Sequence, residues 1–332
     1  MTFIYNNVYI NETATITGPY EFNGPLGKYY DKSYKEFYFG EKTWEEAESH
    51  ILKDSVDLVL KKSKKNLNNI DLFISGDLLN QITASSFCAK DLHIPYLGVF
   101  SACASSVEGL IIASNMIENK QIKNCICSVS SHNNAAEKQF RYPVEYGGPK
   151  PKTTTFTVTG GVSALLSSEK SNIKVESATI GIVQDKNVKD VYAMGAVMAP
   201  AFADTLYRHL KDMNRDISYY DLILSGDLGK YGKDIVKEYM KTVYNIELNN
   251  YDDTACMIYD LDKQPVYSGG SGPACAPLVT YAYIFKLMKA KKLKRVLLIA
   301  TGALLSQTSA NEKRTIPSIA HAISLEATIW YI

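Results

Sequence analysis

The chain has 332 residues, 46% of them hydrophobic and 21% charged, and a formal net charge of +1. That is enough apolar material for one large or two medium globular domains with a real core. The near-neutral balance provides no field that would steer the protein to nucleic acid or acidic lipid.

Residues 1–40, rich in Tyr, Asn and Gly and holding the turn signal Gly24-Pro25-Leu26-Gly27, read as irregular chain. Thr43 reads as the N-cap of a helix that starts with Glu45 and Glu46 and ends near Val56 to Leu60. Lys61 to Lys65 follow, where cations suit a helix C-terminus. A buried strand is expected at 71–75, a helix over Ile82–Leu92, and a strand over Pro95–Phe100 that runs into Ser101-Ala-Cys-Ala-Ser-Ser106. Helical spacing returns over Val107–Ile117, and Asn124–Ser130 reads as strand. Residues 131–155 are polar, aromatic and basic, and read as a long functional loop. Phe156–Ser167 closes a first half.

From Ile173 the plan repeats, with helices expected near 201–212, 231–244 and 275–290 and strands near 220–225, 255–260 and 295–301. The tail 315–332 is short and apolar, suiting closing strands. The alternation of buried strands and helices indicates an α/β fold. The halves, 1–170 and 171–332, have no flexible linker between them and are expected to share one core.

The repeat is visible in the residues. Asp71-Leu-Phe-Ile-Ser-Gly-Asp-Leu78 returns as Asp221-Leu-Ile-Leu-Ser-Gly-Asp-Leu228, with six of eight positions identical. Phe100–Ser131 aligns without gaps on Ser271–Gly302. The first copy carries Cys103 at its strand-to-helix elbow, and the second carries Ala274. A thiol before a helix N-terminus faces unpaired amides and the positive end of the dipole, so it ionises readily and borders an anion cradle. The bland alternative is a small residue in a tight turn.

The other cysteines, at 88, 125, 127, 256 and 275, form no CxxC pair and lie at no zinc-like spacing from a histidine, so reduced thiols and an intracellular setting are expected. Met1-Thr-Phe-Ile-Tyr-Asn-Asn lacks the basic-then-apolar order of a signal peptide, and no apolar run approaches a membrane span of about 20 residues.

A doubled α/β plan with one cysteine elbow resembles the thiolase and β-ketoacyl synthase superfamily, implying a duplicated αβαβα layered fold. In that family the cysteine is acylated, and polar partners from the second half, a histidine among them, activate it. Here Ser225-Gly-Asp-Leu-Gly229 and Ser268-Gly-Gly-Ser-Gly-Pro-Ala274 stand at those places and contain neither His nor Asn, with Asp227 a partial substitute at most.

A narrower resemblance rests on several strings: Gly24-Pro-Leu-Gly-Lys28, Ser131-His-Asn133, Gln139-Phe-Arg-Tyr-Pro143, Glu145-Tyr-Gly-Gly148, Met194-Gly-Ala196, Met198-Ala-Pro200, Ala203-Asp-Thr205, Gly226-Asp-Leu-Gly229 and Ile319-Ala-His-Ala322. Together they are similar to the stage V sporulation protein AD family of spore-forming Firmicutes. The resemblance implies binding of dipicolinic acid (pyridine-2,6-dicarboxylate), as such or as its calcium complex, and its uptake into the developing spore. The implied partners are the SpoVA membrane proteins encoded alongside. The implied place is the forespore or spore, peripheral at the inner spore membrane. No enzymatic role, cofactor or nucleic-acid partner is implied, and a homodimer is an expectation of the fold. The competing reading is acyl transfer with Cys103 as nucleophile.

A flat aromatic dianion needs donors for two carboxylates and walls for a ring. Arg141 offers a planar fork, the Cys103 elbow an anion cradle, and Ser131 and His132 stand where the sheet's carboxyl edge is expected. Tyr142 and Tyr146 suit stacking, as does Phe140. Met194, Asp227 and His321 complete the candidate set. Each has an ordinary alternative: an ion pair of Arg141 with Glu137 or Glu145, a strand cap for His132, loop packing for the tyrosines, core packing for Met194, Met198 and His321. No metal site is expected, since Asp252-Asp253 and Asp260-Leu-Asp262 read as surface turns and lack an EF-hand spacing.

Overall fold

The computed structural model describes residues 1–140 and 150–328. The first half runs β1 (Thr2–Ile4), β2 (Tyr9–Thr17), α1 (Pro19–Phe22), β3 (Lys32–Ser33), α2 (Trp44–Ser63), β4 (Leu72–Gly76), α3 (Thr83–Leu92), β5 (Tyr96–Gly98), α4 (Ser105–Glu118), β6 (Asn124–Ser131), α5 (Asn133–Phe140), β7 (Phe156–Thr157) and β8 (Gly160–Ser167). The second runs β9 (Ile173–Thr179), α6 (Met194–Asp212), β10 (Leu222–Ser225), α7 (Gly229–Tyr244), β11 (Tyr251–Asp253), α8 (Thr254–Ile258), β12 (Gly270–Ser271), α9 (Cys275–Val279), α10 (Phe285–Lys289), β13 (Arg295–Ala303), α11 (Gln307–Asn311) and β14 (Ser318–Ala327). A π-turn at Thr280–Ile284 joins α9 to α10.

The sheet order β11-β10-β13-β14-β9-β2-β8-β6-β4-β5 is the same five-strand plan written twice in mirror order. In each half two parallel pairings (β5–β4–β6 and β11–β10–β13) continue into antiparallel ones (β6–β8–β2 and β13–β14–β9). The two plans meet at β2 and β9 through two residue pairs, Tyr9 with Lys174 and Ile10 with Ile173.

Helices α2 and α3 pack on the outer face of the first five strands, and α6 and α7 on that of the second. Between the two sets of strands lie α4 and the α9–α10 run. The largest apolar cluster joins Val107 and Leu110 of α4, Leu278 and Val279 of α9, Val162 of β8 and Leu298 of β13. The two halves therefore share one interior, and the layering is the αβαβα order expected. Helix α2 begins as its sequence indicates: Thr43 accepts the Glu46 N–H, and the Glu46 carboxylate accepts the Thr43 N–H, a capping box.

Four expectations change. Residues 1–40 hold a nine-residue strand, β2, near the middle of the sheet, whose buried Thr13, Thr15 and Thr17 hide its apolar character. Residues 131–155 begin with helix α5 rather than loop. Where a strand is expected near 255–260, the chain forms the short helix α8 up to Ile258, capped by the Asp253 side chain through the Ala255 N–H. Helix α6 starts at Met194, ahead of Pro200, which it tolerates internally. That early start has a functional consequence, because it brings Met194 and Met198 to the cavity described below.

Candidate functional site

After β5 the chain turns through Ser101 to Ala104 into α4. Ala102 holds a positive φ of 50°, a conformation that costs a non-glycine residue energy and marks a constrained turn. The turn is pinned locally. The Ser101 N–H donates to Ser105 Oγ at 2.9 Å, and Ser105 Oγ donates to the Ala102 carbonyl at 2.7 Å. Ala104 is the N-cap, so Cys103 stands one residue before it, partly exposed. The Ala104 and Ser105 amides donate to the Ser101 and Ala102 carbonyls at 3.0 and 3.2 Å. These two amides are thus committed within the turn, which narrows the anion cradle expected there. Strand β13 approaches the elbow at Gly302, where a Cβ would lie 2.0 Å from the Ser101 carbonyl oxygen, so only hydrogen fits.

A small cavity opens beside Cys103. Its walls are mostly apolar. Leu78 and Leu305 follow the ends of strands β4 and β13, and Met194 and Met198 come from α6. Ala102 and Ala303 lie at its elbow side, and Thr157 and Ser271 come from the paired short strands β7 and β12. Glu137 of α5 is the charged group on the wall, 2% exposed. Thr157 Oγ1 donates to its Oε1 at 3.0 Å, and the Lys150 ammonium lies 3.4 Å from Oε2. Sequence reasoning had Glu137 only as an ion-pair partner for Arg141. Its helical setting on α5, which a loop assignment concealed, is what turns it inward.

Of the nine candidate residues, Cys103 and Met194 line the cavity. Four others are buried and do not line it. Ser131 Oγ donates to the Val158 carbonyl at 2.7 Å. His132 is fully buried, bonds the Phe37 carbonyl through Nε2 at 2.8 Å, and packs edge-on against Phe37 and Phe39. His321 Nδ1 accepts the Gly181 N–H at 3.1 Å, so its proton is on Nε2, 3.3 Å from Ser101 Oγ. Burial pushes both imidazoles down to about 4, so both are neutral at pH 7. His321 thus ties the elbow to the chain leaving β9. Arg141, Tyr142 and Tyr146, with Glu145, lie outside the described residues.

Asp227 is the fourth. It is fully buried at a positive φ of 69° beside the Cys275 thiol. Burial, with nearby Asp253, holds its carboxyl well above the usual range. Asp253, expected at a surface turn, is also fully buried, because its carboxylate accepts Ser225 Oγ at 2.6 Å and the Gly229 N–H at 3.0 Å. Burial raises its pKa to about 6. Among the described residues no group of three or more His, Cys, Asp or Glu stands in a metal-holding arrangement, and no helix is long and apolar enough to cross a membrane.

A duplicated sheet, a shared middle layer and a cysteine at the first-half elbow define a thiolase-like protein. Solved structures agree on the fold. 3-Oxoacyl-[acyl-carrier-protein] synthase III from Aquifex aeolicus VF5 superposes with a TM-score of 0.60 at 12% identity, covering 96% of this chain and 99% of its own. Cerulenin-bound OleA from Xanthomonas campestris gives a TM-score of 0.59 at 16% identity, covering 97% of each chain.

The sequence comparisons are narrower. The profile of the stage V sporulation protein AD (SpoVAD) family matches residues 1–326, and Stage V sporulation protein AD of Bacillus subtilis (strain 168) is 44% identical over 326 residues, covering 98% of this chain and 96% of the relative. The chain belongs to the stage V sporulation protein AD family, which gives it a role in sporulation on a thiolase-like fold.

Proposed function

We propose that the protein binds dipicolinic acid, free or as its calcium complex, and serves as the non-catalytic binding component of the system that moves it into the developing spore. In this reading it works at the inner spore membrane with the SpoVA membrane proteins. The observation that carries the proposal is the cavity beside Cys103. Its apolar lining, with Met194, Met198, Leu78 and Leu305, suits an aromatic ring. Lys150 stands near its polar side, and Arg141 follows α5 closely in sequence.

The engagement of the buried imidazoles among the described residues supports the same reading. The buried imidazoles are engaged elsewhere: His132 with Phe37, His209 with Thr179 and Tyr220, His321 with Ser101 and Gly181. Asp227 is enclosed beside Cys275. Titration calorimetry with dipicolinate tests the proposal, and no heat at about millimolar ligand defeats it. An Arg141→Ala variant should bind more weakly by about 1.5–3 kcal/mol if Arg141 holds a carboxylate.

Acyl transfer through Cys103 is the second reading, favoured by the retained elbow and by the condensing enzymes that share the fold. It requires an acyl adduct. Intact-mass spectra after incubation with acyl-CoA decide it, and an unmodified mass removes it.

A further inference from the structure

The near-neutral net charge conceals an uneven distribution. The strand registers place Asn124 opposite Ser167, Ile173 opposite Ala327 and Leu222 opposite Val296, so the loops before β4, β6, β10 and β13 and the β8–β9 turn all fall on one rim. The cavity residues Leu78, Cys103 and Ala303 follow the other ends of β4, β5 and β13, at the opposite edge.

The rim is rich in lysine. Lys64, Lys120, Lys123, Lys170, Lys291 and Lys292 are all exposed. Lys120 and Lys291 occupy corresponding places in the two halves, at φ of 58° and 57°, where the middle-layer helices end. Carboxylates interrupt the rim and keep their charge, several of them held against the protein. Asp71 and Asp221 each accept two backbone N–H groups, Glu118 accepts the Asn6 and Asn7 N–H groups, and Glu169 pairs with Lys65. Asp212 accepts from Thr2 Oγ1 and Asp216 from the Ser218 N–H, at one corner below α6, and Glu247 is exposed in the loop before β11.

Cations at helix ends complement the dipole, but Lys123, Lys170 and Lys292 lie in the loops beyond. The two five-strand layers lie one over the other with the middle helices between them, so the rim spans the edges of both layers. We infer that this rim docks on an anionic lipid bilayer and holds the cavity mouth away from the membrane. An edge of dispersed lysines matches a charged plane. The inference deepens the membrane location proposed above without depending on the ligand.

The test is co-sedimentation of the purified protein with phosphatidylcholine vesicles, with and without about 30% phosphatidylglycerol, in low salt. The variant combines Lys120→Asn and Lys291→Asn with Lys123→Gln and Lys292→Gln. Asparagine accepts the left-handed backbone, so the fold should persist, and circular dichroism checks it. Binding is expected only to the anionic vesicles. It should fall at least about tenfold in the variant and in 0.5 M salt, where the Debye length is short. Equal binding to neutral vesicles, no binding to anionic ones, or a variant that binds like the parent overturns the inference. Preferential capture by duplex DNA at equal phosphate assigns the rim to nucleic acid and overturns it too. Calorimetry with dipicolinate on the same variant separates the two proposals, since its cavity is untouched.

Discussion

Asp71 and Asp221 make the same pair of hydrogen bonds in the two halves of the molecule. Asp71 Oδ2 accepts the N–H groups of Lys123 and Asn124 at 2.7 and 2.9 Å, and Asp221 Oδ2 accepts those of Lys294 and Arg295 at 2.5 and 2.8 Å. Each carboxylate ties the entry of one strand to the entry of its neighbour. Asp71→Ala and Asp221→Ala should therefore cost similar amounts, about 1–2 kcal/mol each in denaturant unfolding. A loss from one alone would show that the two ties are not equivalent.

Glu21 predicts a dependence on pH. It is fully buried, accepts from the Tyr259 hydroxyl and from the Thr159 N–H, and burial raises its pKa from 4.5 to about 7. Its folded pKa is above the unfolded one, so its contribution is whole below pH 4.5 and is lost as pH rises through 7. Glu21→Gln should remove that loss, worth about 3 kcal/mol, and flatten the stability profile between about pH 4.5 and 7. An unchanged slope in thermal melts would refute the assignment. His209 works the other way. Burial lowers it from 6.5 to about 4, so its contribution is present above pH 6.5 and lost as pH falls toward 4.

The His321 tie between Ser101 and Gly181 predicts a looser elbow when it is cut. His321→Ala should destabilise the fold by about 2–4 kcal/mol, through lost volume and unpaired polar groups. It should also speed alkylation of Cys103 by iodoacetamide. Peptide mapping at short times reads that rate, and an unaltered rate at Cys103 would show that the elbow is held without the imidazole.

Met194 sits at the first turn of α6 on the cavity wall. Met194→Trp should fill the cavity and abolish the dipicolinate heat while leaving the circular dichroism spectrum intact. Retained binding would place the ligand elsewhere.

The expected homodimer has a candidate seam at β5, the end strand of the sheet order. Leu97 and Phe100 beside it are 43% and 46% exposed, and residues 96–100 contain no charge. Sedimentation equilibrium should return a dimer for the parent chain and a monomer for Leu97→Lys. A monomeric parent rules out the seam.

Much of the fold was readable because the duplication is local. Asp71 and Asp221, Lys120 and Lys291, Lys123 and Lys294 fall at the spacings of the repeat and do the same structural work. The elbow at Cys103 was readable too, as a change from strand to helix through small residues. The cavity was harder, because Leu78, Glu137, Thr157, Ser271 and Leu305 come from separate segments and meet only after both halves fold. Periodicity reveals neither a short helix such as α5 inside a polar segment nor the reach of a helix past an internal proline, which is why the inward Glu137 and the start of α6 at Met194 are not legible in the sequence. Ser131, His132, Asp227 and His321 stand out in the sequence as polar residues near strand ends. Sequence did not distinguish a group facing the cavity from one buried without lining it.

The two pairings that join β2 to β9 are too few to bind one half to the other; the middle helices do that. A backbone cut in the 168–172 turn should then leave a single particle that refolds only from both pieces. Descendants of a doubled gene held this way can lose chemistry at one copy, as the exchange of a thiol at 103 for a methyl at 274 illustrates, yet neither copy can be shed.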